Sequence, residues 1–549
     1  MQQPKPSLAV IGLDGATFDV ISPLVEQGEL PFLGRIMTEG SHGPLESIIP
    51  PVTGPAWSVL ATGKNPGQLG IFDFINRRRP DDFRLYPIRS ADLAGQTFWD
   101  ILDAAGYRVG ILNYPMLVPA YPIDGWMVAG LGASRLHEYT YPAGLKQELD
   151  QITGGYEISV SYGLPKYRDN LLLLVRDLKR TLDSRLLAVE HLLSTRPVDV
   201  LVAVFSVSDV ACHTMWKFWD YGASTVLDPD HERIREDFVS IWRSLDQAVG
   251  RILDRLSPDG HVLVVSDHGF GPSHGVFHVN QWLQRSGYLV RKGMCPARGN
   301  ALREGLVERT SPYLGPIFRR VLGSKIHQAL RASVLREIDL VNSKAFALEH
   351  TDSCGSIFVN HQYARARGLN EEDFERNVCA QLKRDLLAWG QREGLPVQTF
   401  SANELYWGDK AALSPELLFV VDGFRCSVSH RFAEPVYADR LHHPMKSGTH
   451  RMNGVVMAVG PDVLNVPIVG AQLQDIAPTV LHLLDLPVPV SMDGKILTGM
   501  LKSNLKAPRA SEQPADERAL ADDIDVELLP ADEGLEIVLQ RLADLGYLD

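Results

Sequence analysis

Short apolar runs that end abruptly in polar residues recur along this chain. The run Val262 to Val265 is followed at once by Ser266-Asp267-His268-Gly269, and the stretches 8–13 and 198–206 have the same form. Such runs, rich in β-branched residues, are typical of strands buried on both faces of a parallel sheet. Further strands are predicted at 107–113, 416–421 and 455–460.

Helical patterns alternate with these strands. Helices are predicted to begin near Asp19 and just after Thr53, to cover 170–193 and 230–256, and to follow the stretch Asp475 to Val480. Alternating strands and helices indicate the α/β class, a doubly wound and mostly parallel sheet flanked by helices. No internal repeat is evident.

Acidic and imidazole side chains follow three of the predicted strands. Asp14 ends the first, Asp267 and His268 end the central one, and Asp209 and His213 follow the strand at 198–206. The last pair is four residues apart, which places both side chains on one face of a helical turn. In open α/β sheets ligands bind at the carboxyl ends of strands, and oxygen and nitrogen donors suit zinc or a similar ion. Each pair alone is also typical of turns and helix caps, but their recurrence indicates a metal site.

Thr53 lies in a loop crowded with proline and glycine, directly before a helical pattern. One interpretation is a threonine that caps the helix. The other is a nucleophile at a helix N-terminus, where backbone N–H groups favour an anionic oxygen. A threonine nucleophile needs a metal or a base to make its alkoxide available.

Several histidines are further candidates. His274 and His278 follow the central strand closely and are candidates for contacting substrate, although a lone histidine is more often structural. Later in the chain, glycines flank His450 and would let the backbone present it to the site, with His442 and His443 as competitors.

Composition narrows the class of protein. The 549 residues are 45% hydrophobic with a net charge of −13, which argues against stable nucleic-acid binding because that depends on a basic surface. The five cysteines are scattered without a Cys-x-x-Cys pair, and no apolar stretch is long enough to cross a bilayer. We therefore expect a cytoplasmic protein with no membrane association. Its oligomeric state is left open.

One large catalytic domain is expected, over residues 1–502. Two regions of different character, about 134–194 and 291–343, are interpreted as insertions that form a cap or lid. Residues 503–530 are rich in Ala, Pro, Asp and Glu and are interpreted as a flexible acidic linker. A short C-terminal helix is predicted within 531–549.

Taken together, these motifs resemble the alkaline phosphatase superfamily, and within it the type I phosphodiesterase/nucleotide pyrophosphatase family. The matching pieces, in the family's order, are Gly12-Leu13-Asp14-Gly15, the Thr53 loop, Asp209 with His213, Ser266-Asp267-His268-Gly269, Gly448-Thr449-His450 and Asp475-Ile476-Ala477-Pro478-Thr479. Each piece is weak alone, but together they span most of the chain.

The resemblance implies two divalent metal ions, zinc with manganese as the alternative. One ion would be held by Asp209, His213 and His450. The other would be held by Asp14, Asp267 and His268, with the Thr53 hydroxyl bridging toward it. Thr53 would attack phosphorus and form a phospho-threonine that water then releases.

The chain also departs from the family pattern. Nucleotide pyrophosphatases carry an asparagine that binds a phosphoryl oxygen about twenty residues after the nucleophile, where this chain has Asp73 or Phe74. Asp73 is accordingly a candidate substrate-binding residue. Sulfatase activity is not expected, because Thr53 stands where sulfatases need a cysteine or serine.

The function that the resemblance implies is a metal-dependent phosphohydrolase that cleaves phosphodiester or nucleotide pyrophosphate bonds in a small phosphorylated substrate. A phosphomonoesterase or phosphonate-ester hydrolase of the same superfamily is the alternative. A non-catalytic metal-binding regulator on the same fold is the alternative from a different class.

Overall fold

The structure is a computed structural model. It describes residues 5–135, 138–168, 170–219, 229–292, 333–443, 445–503 and 509–511.

Strands and helices alternate over much of the chain. The strands are β1 (Leu8–Leu13), β2 (Ser41–Glu46), β3 (Ile75–Asn76), β4 (Tyr86–Pro87), β5 (Val109–Tyr114), β6 (Gly125–Ala129), β7 (Thr140–Tyr141), β8 (Val200–Phe205), β9 (His261–Val265), β10 (Gly269–Pro272), β11 (Val276–His278), β12 (Ala345–Phe346), β13 (Gly355–Val359), β14 (Val397–Ser401), β15 (Leu417–Val421), β16 (Ser427–Ser429), β17 (Tyr437–Ala438), β18 (Gly448–Arg451), β19 (Asn453–Val459), β20 (Ala471–Gln472), β21 (Val488–Pro489) and β22 (Ala510–Ser511). The α-helices are α1 (Phe18–Glu26), α2 (Pro31–Glu39), α3 (Thr53–Thr62), α4 (Pro66–Leu69), α5 (Phe98–Ala104), α6 (Leu145–Thr153), α7 (Leu171–Thr195), α8 (Val207–Trp219), α9 (Pro229–Leu253), α10 (Val279–Arg285), α11 (Ser333–Glu337), α12 (His361–Arg365), α13 (Glu371–Glu393), α14 (Ala402–Leu405) and α15 (Ile476–Leu483).

A nine-stranded sheet forms the centre of the molecule, in the order β20-β2-β19-β9-β1-β8-β5-β6-β7. The inner strands β9, β1, β8, β5 and β6 run parallel, whereas β19 and β7 join antiparallel. Every residue of β1, β8 and β9 is buried, as expected for strands covered on both faces. The predicted fold, a mostly parallel sheet flanked by helices, is confirmed.

A second unit lies between β10 and β18 in the chain. Its four-stranded antiparallel sheet, in the order β12-β13-β15-β14, and the long helix α13 share an apolar core with parts of β11 and β16. The antiparallel pairing of β10 with β18 brings the chain back to the main sheet. The chain therefore leaves the main body after β10 and returns to it at β18.

The region 134–194 contributes to the main body. Its helix α7 packs against α8 and α9, and its apolar face, from Leu174 to Leu193, belongs to the same core as the large sheet. Most of the other predicted insertion, 291–343, lies outside the described residues, as do nearly all of the predicted linker 503–530 and the whole of 531–549. Within the part of the chain that is described, none of the helices has both the length and the apolarity needed to cross a membrane.

Candidate active site

Three neighbouring parallel strands bring the predicted acidic residues together. Asp14 directly follows β1, Asp209 lies in the first turn of α8 after β8, and Asp267 follows β9. Because β1 pairs with β8 on one side and with β9 on the other, the three carboxylates meet at one edge of the sheet. All three are buried.

Three histidines complete the cluster. His268 follows Asp267, His213 lies one helical turn after Asp209, and His450 is carried by β18. The register of β18 against β10 places His450 opposite Phe270, two residues beyond His268. This pairing selects His450, whereas His442 and His443 precede the strand.

The side chains fall into two overlapping groups. In the first, Oδ1 of Asp209 lies 3.4 Å from Nε2 of His213 and 3.5 Å from Nε2 of His450. In the second, Asp14, Asp209 and His268 offer ligand atoms within 4.8 Å of one another. Asp267 adjoins the second group, with Oδ2 3.2 Å from Nε2 of His268. Asp209 thus belongs to both groups.

Backbone carbonyls fix the orientation of all three imidazoles. His450 donates Nδ1–H to the carbonyl oxygen of Pro51 at 2.7 Å, His213 to Gly448 at 3.0 Å, and His268 to Gly269 at 3.2 Å. A neutral imidazole that donates from Nδ1 presents a lone pair at Nε2. Such contacts orient metal-binding histidines in known metal sites.

This donor set fits a cation. Nε2 of His213 and Nε2 of His450 are 3.0 Å apart, so two lone pairs face each other unless a positive charge lies between them. Neither carboxylate oxygen of the buried Asp14 accepts a hydrogen bond of ordinary geometry from the described residues. Carboxylates and imidazoles without a thiolate suit zinc, and manganese is also compatible.

The pKa shifts of these groups have the same physical origin. Burial, followed by the charges of Asp267 and Asp209, raises the pKa of Asp14 well above its usual value. Burial also raises the pKa of Asp267 to about 7 and lowers that of His450 to about 3. The histidines are therefore held neutral, and the clustered carboxylates lack a compensating positive charge.

Thr53 is the first residue of α3 and is fully buried. Its Oγ1 lies 3.3 Å from Nε2 of His268. Val52 occupies the N-cap position, and no side chain caps the helix, so the interpretation of Thr53 as a capping threonine is wrong. The first N–H groups of an α-helix have no partner within it, and here they lie beside the hydroxyl.

The three predicted substrate-binding residues are placed differently. Asp73 is buried and accepts hydrogen bonds from the backbone N–H and hydroxyl of Thr351 and from the N–H of Phe74. His274 is partly exposed, and its Nε2 lies 3.3 Å from Oδ2 of Asp422. His278 is buried at the end of β11, in the inserted unit. Their roles toward substrate stay predictions.

Charged residues that the sequence did not single out also lie close to the centre. Lys446 is buried, with Nζ 2.5 Å from Oδ1 of Asp352. Arg185 on α7 is buried as well, and its Nε and Nη1 have no hydrogen-bond partner among the described residues. Burial lowers the pKa of Arg185, and the charges of Tyr156 and Asp14 partly offset that effect. Lys446 and Arg185 each stand alone in a loop or a helix, without a motif or a regular spacing that would have indicated a position near the cluster.

Comparison with known proteins places this chain in a family. Residues 8–340 match the model of the type I phosphodiesterase/nucleotide pyrophosphatase family. The chain belongs to this family. It is accordingly a hydrolase that acts on phosphoric ester bonds, as the sequence motifs predicted.

Other comparisons add a structural likeness. No curated protein matches the chain. Among solved structures, the chain is similar to phosphonoacetate hydrolase from Sinorhizobium meliloti 1021 in complex with phosphonoformate, with 13% identity and a TM-score of 0.46. The match covers 86% of this chain and 94% of that one.

Proposed function

We propose that this family member is a metal-dependent hydrolase that cleaves phosphodiester or nucleotide pyrophosphate bonds, with Thr53 as its nucleophile. The observation that carries the proposal is the position of the Thr53 hydroxyl, which is buried at a helix N-terminus and 3.3 Å from His268 within the carboxylate and imidazole cluster. The hydroxyl comes from the start of α3, and the acidic side chains come from the ends of β1, β8 and β9.

The residues of the cluster form two sets, each of which would bind one metal ion. Asp209, His213 and His450 would hold one, and Asp14, Asp267 and His268 the other, with Asp209 within reach of both. Two bound divalent ions supply charge stabilisation for the attacking and leaving oxygens of an in-line displacement. Zinc is the preferred ion and manganese the alternative.

The chain's own residues perform the remaining steps. The Thr53 hydroxyl gives up its proton to solvent, and Oγ1 forms a bond to phosphorus as the bond to the leaving oxygen breaks and its electron pair passes to that oxygen. The product is a phospho-threonine that keeps the other ester group of a diester substrate. Water then cleaves this ester and restores the hydroxyl. The free N–H groups at the start of α3 are suited to hold the non-bridging oxygens, whose negative charge they stabilise. Pro55, the third residue of the helix, has no N–H to contribute.

The test is substitution of the nucleophile. Thr53→Ala should lower kcat/KM on bis-p-nitrophenyl phosphate by about 1,000-fold or more, equivalent to roughly 4 kcal/mol of transition-state stabilisation. Thr53→Ser should retain part of the activity because it keeps the hydroxyl. Mass spectrometry of wild-type enzyme quenched during turnover of bis-p-nitrophenyl phosphate should find a p-nitrophenyl phosphoryl group on Thr53. Thr62→Ala, at the far end of the same helix, is the matched control.

If Thr53→Ala keeps its activity, Thr53 is not the nucleophile.

The alternative activity, hydrolysis of phosphomonoesters, is favoured by one observation. The carboxylate of Asp73, near the place where the family's asparagine binds a phosphoryl oxygen, accepts hydrogen bonds from Thr351. Equal or faster turnover of p-nitrophenyl phosphate would decide for that alternative.

A further inference from the structure

Trp57 is a buried tryptophan on the helix that begins with Thr53. It follows Thr53 by four residues along α3, and this spacing places the two side chains on one face of the helix. The hydroxyl of Thr53 lies 3.3 Å from His268 in the cluster, and Trp57 is 1% exposed. The face of α3 that presents the proposed nucleophile therefore also carries a large indole ring.

Close packing fixes the place of this indole ring. A Cβ atom added at Gly12 would lie 2.4 Å from Cη2 of Trp57, so the ring rests directly on the backbone of β1, two residues before Asp14. Tyr114, the last residue of β5, donates its hydroxyl to the carbonyl oxygen of Trp57 at 2.7 Å. The rings of Trp57 and Tyr114 also meet edge to face, with centroids 5.4 Å apart. The indole is thus held by contacts with both β1 and β5.

The indole nitrogen of Trp57 and the carboxylate of Asp14 are a donor and an acceptor that both lack a regular partner. Nε1 of Trp57 is buried and has no hydrogen bond of ordinary geometry among the described residues, and the same holds for both oxygens of Asp14. Burial and the charges of Asp267 and Asp209 raise the pKa of Asp14, whereas the nearby N–H of Trp57 lowers it. Buried donors and acceptors are rarely left unpaired. The two groups therefore complement each other.

Asp267 shows what such a donor does for a neighbouring carboxylate of the cluster. Its Oδ1 accepts a hydrogen bond from the N–H of Gly15 at 3.1 Å, and its Oδ2 lies 3.2 Å from Nε2 of His268. One oxygen is thus held by the protein, and the other faces the cluster. An indole N–H can only donate, so a bond from Trp57 would occupy one oxygen of Asp14 and leave the other for a cation. Hydrogen bonds of this kind orient carboxylates in known metal sites.

We propose that Trp57 is a positioning residue, which donates its indole N–H to one oxygen of Asp14 and thereby directs the other oxygen toward the second metal ion. The inference rests on the proposed function, because this ion is the one assigned to Asp14, Asp267 and His268. It gives α3 two tasks. The helix presents the Thr53 hydroxyl at its first residue and orients Asp14 one turn later, so a single rigid element fixes the nucleophile relative to the second ion.

The first test measures zinc affinity without any turnover. Trp57→Phe keeps an aromatic ring at this place but removes the N–H. In competition with a chromophoric chelator, the variant should bind one of the two zinc ions about 10- to 100-fold more weakly, the range expected when a hydrogen-bonding partner of a metal ligand is removed. The affinity for the other ion should be unchanged. Equal affinities of the wild type and the variant for both ions would overturn the inference.

Trp99→Phe is the matched control. Trp99 is also buried and its ring also meets Tyr114 edge to face, but its Nε1 donates to the hydroxyl of Tyr121. The substitution therefore reproduces the loss of packing in the same core without removing the donor near Asp14. Trp99→Phe should leave both zinc affinities unchanged. If it weakened zinc binding as much as Trp57→Phe does, the loss of packing would explain the effect and the inference would fail.

The second test observes the indole N–H directly by nuclear magnetic resonance. In protein labelled with the heavy nitrogen isotope, each of the 9 tryptophans gives one Nε1–H signal. The signal of Trp57 is the one that disappears in Trp57→Phe. Asp14→Ala should move this signal and leave that of Trp99 in place, because the carboxylate is the acceptor of the Trp57 N–H. A Trp57 signal that does not move in Asp14→Ala would overturn the inference.

These measurements separate the inference from the assignment of the nucleophile. If Thr53→Ala keeps full activity, the proposed mechanism fails, while the zinc affinities and the Trp57 signal still test the role of the indole. Activity then gives a third readout. At limiting zinc, Trp57→Phe should hydrolyse bis-p-nitrophenyl phosphate more slowly than the wild type, and excess zinc should restore most of the loss because only the occupancy of one ion is lowered. A loss that excess zinc does not restore would contradict the proposed role.

Discussion

Asp14 shows most clearly how the site is arranged residue by residue. Its carboxylate is buried, accepts no hydrogen bond of ordinary geometry from the described residues and lies close to two further carboxylates, Asp209 and Asp267. A buried polar group without a partner costs about 1–3 kcal/mol, and a charged one costs more. The folded protein therefore keeps Asp14 at a cost that a bound cation would offset.

This cost predicts an unusual effect of Asp14→Asn. In protein freed of metal by a chelator, the variant should be more stable than the wild type by about 1–3 kcal/mol, because one of three mutually repelling carboxylates is gone. When zinc is added, the order should reverse. Urea unfolding with and without zinc measures both effects. Asp259→Asn, at an exposed position, should change stability by less than about 0.5 kcal/mol. A metal-free variant that is less stable than the wild type would contradict the prediction.

The acidic candidate ligands could be proposed from sequence because each lies at or just beyond the end of an apolar run. Asp14, Asp209 and Asp267 carry that signal. The choice of His450 over its neighbours needed the pairing of β18 with β10, which is a contact between distant segments. Likewise, the contacts of Asp73 with Thr351 join residues 278 positions apart, so spacing alone could not reveal them.

At the scale of elements, local patterns predicted α3, α7 and α9 to within a few residues, because each has a long amphipathic or apolar pattern. What they did not predict was the role of α7 (Leu171–Thr195), which was interpreted as part of a cap but packs into the core of the main sheet. An amphipathic helix shows which of its faces is apolar but not which partner covers it.

The N-terminus of α5 contains a buried acid with a testable pH dependence. Asp100 forms a capping box with Thr97 and accepts a hydrogen bond from the hydroxyl of Tyr121. Burial raises its pKa from 3.8 to about 6, although these hydrogen bonds act in the opposite direction. The unfolded chain therefore ionises Asp100 at lower pH than the folded protein does.

The sign of the effect follows from this difference. The contribution of Asp100 to stability is fully present below about pH 4 and is lost as pH rises through about 6. The loss amounts to roughly 3 kcal/mol for a pKa that folding raises from 3.8 to about 6. Asp100→Asn cannot ionise, so its stability relative to the wild type should rise by about that amount between pH 4 and pH 7. Urea unfolding at intervals of one pH unit measures the difference. A constant difference across this range would contradict the prediction.

The arrangement of strands and units in the whole molecule was the least predictable feature. Apolar runs indicate where the buried central strands lie, but the order of the nine-stranded sheet depends on which strands meet after folding. Two features depend on such contacts between distant segments. β19 pairs antiparallel with β9, and the inserted unit has an apolar core of its own. The family resemblance supplied the proposed ligands and nucleophile, since residues from Asp14 to His450 converge only in the folded chain.

This convergence leads to a prediction about metal content. Asp209 lies in both candidate groups, whereas His450 belongs to one. Asp209→Ala should therefore weaken binding of both ions, and His450→Ala should remove mainly one. Wild-type protein should bind about two zinc ions per chain by elemental analysis after dialysis.

The two variants also differ in how added metal should affect their stability. A ligand that binds only the folded state at 100 times its dissociation constant adds about 2.7 kcal/mol of stability. Zinc should therefore stabilise His450→Ala through the group of Asp14, Asp209 and His268 but stabilise Asp209→Ala much less. Thermal unfolding with and without zinc distinguishes them. If both variants kept one ion and the same stabilisation, Asp209 would not be shared, and Asp267 would instead complete the second group as the sequence predicted.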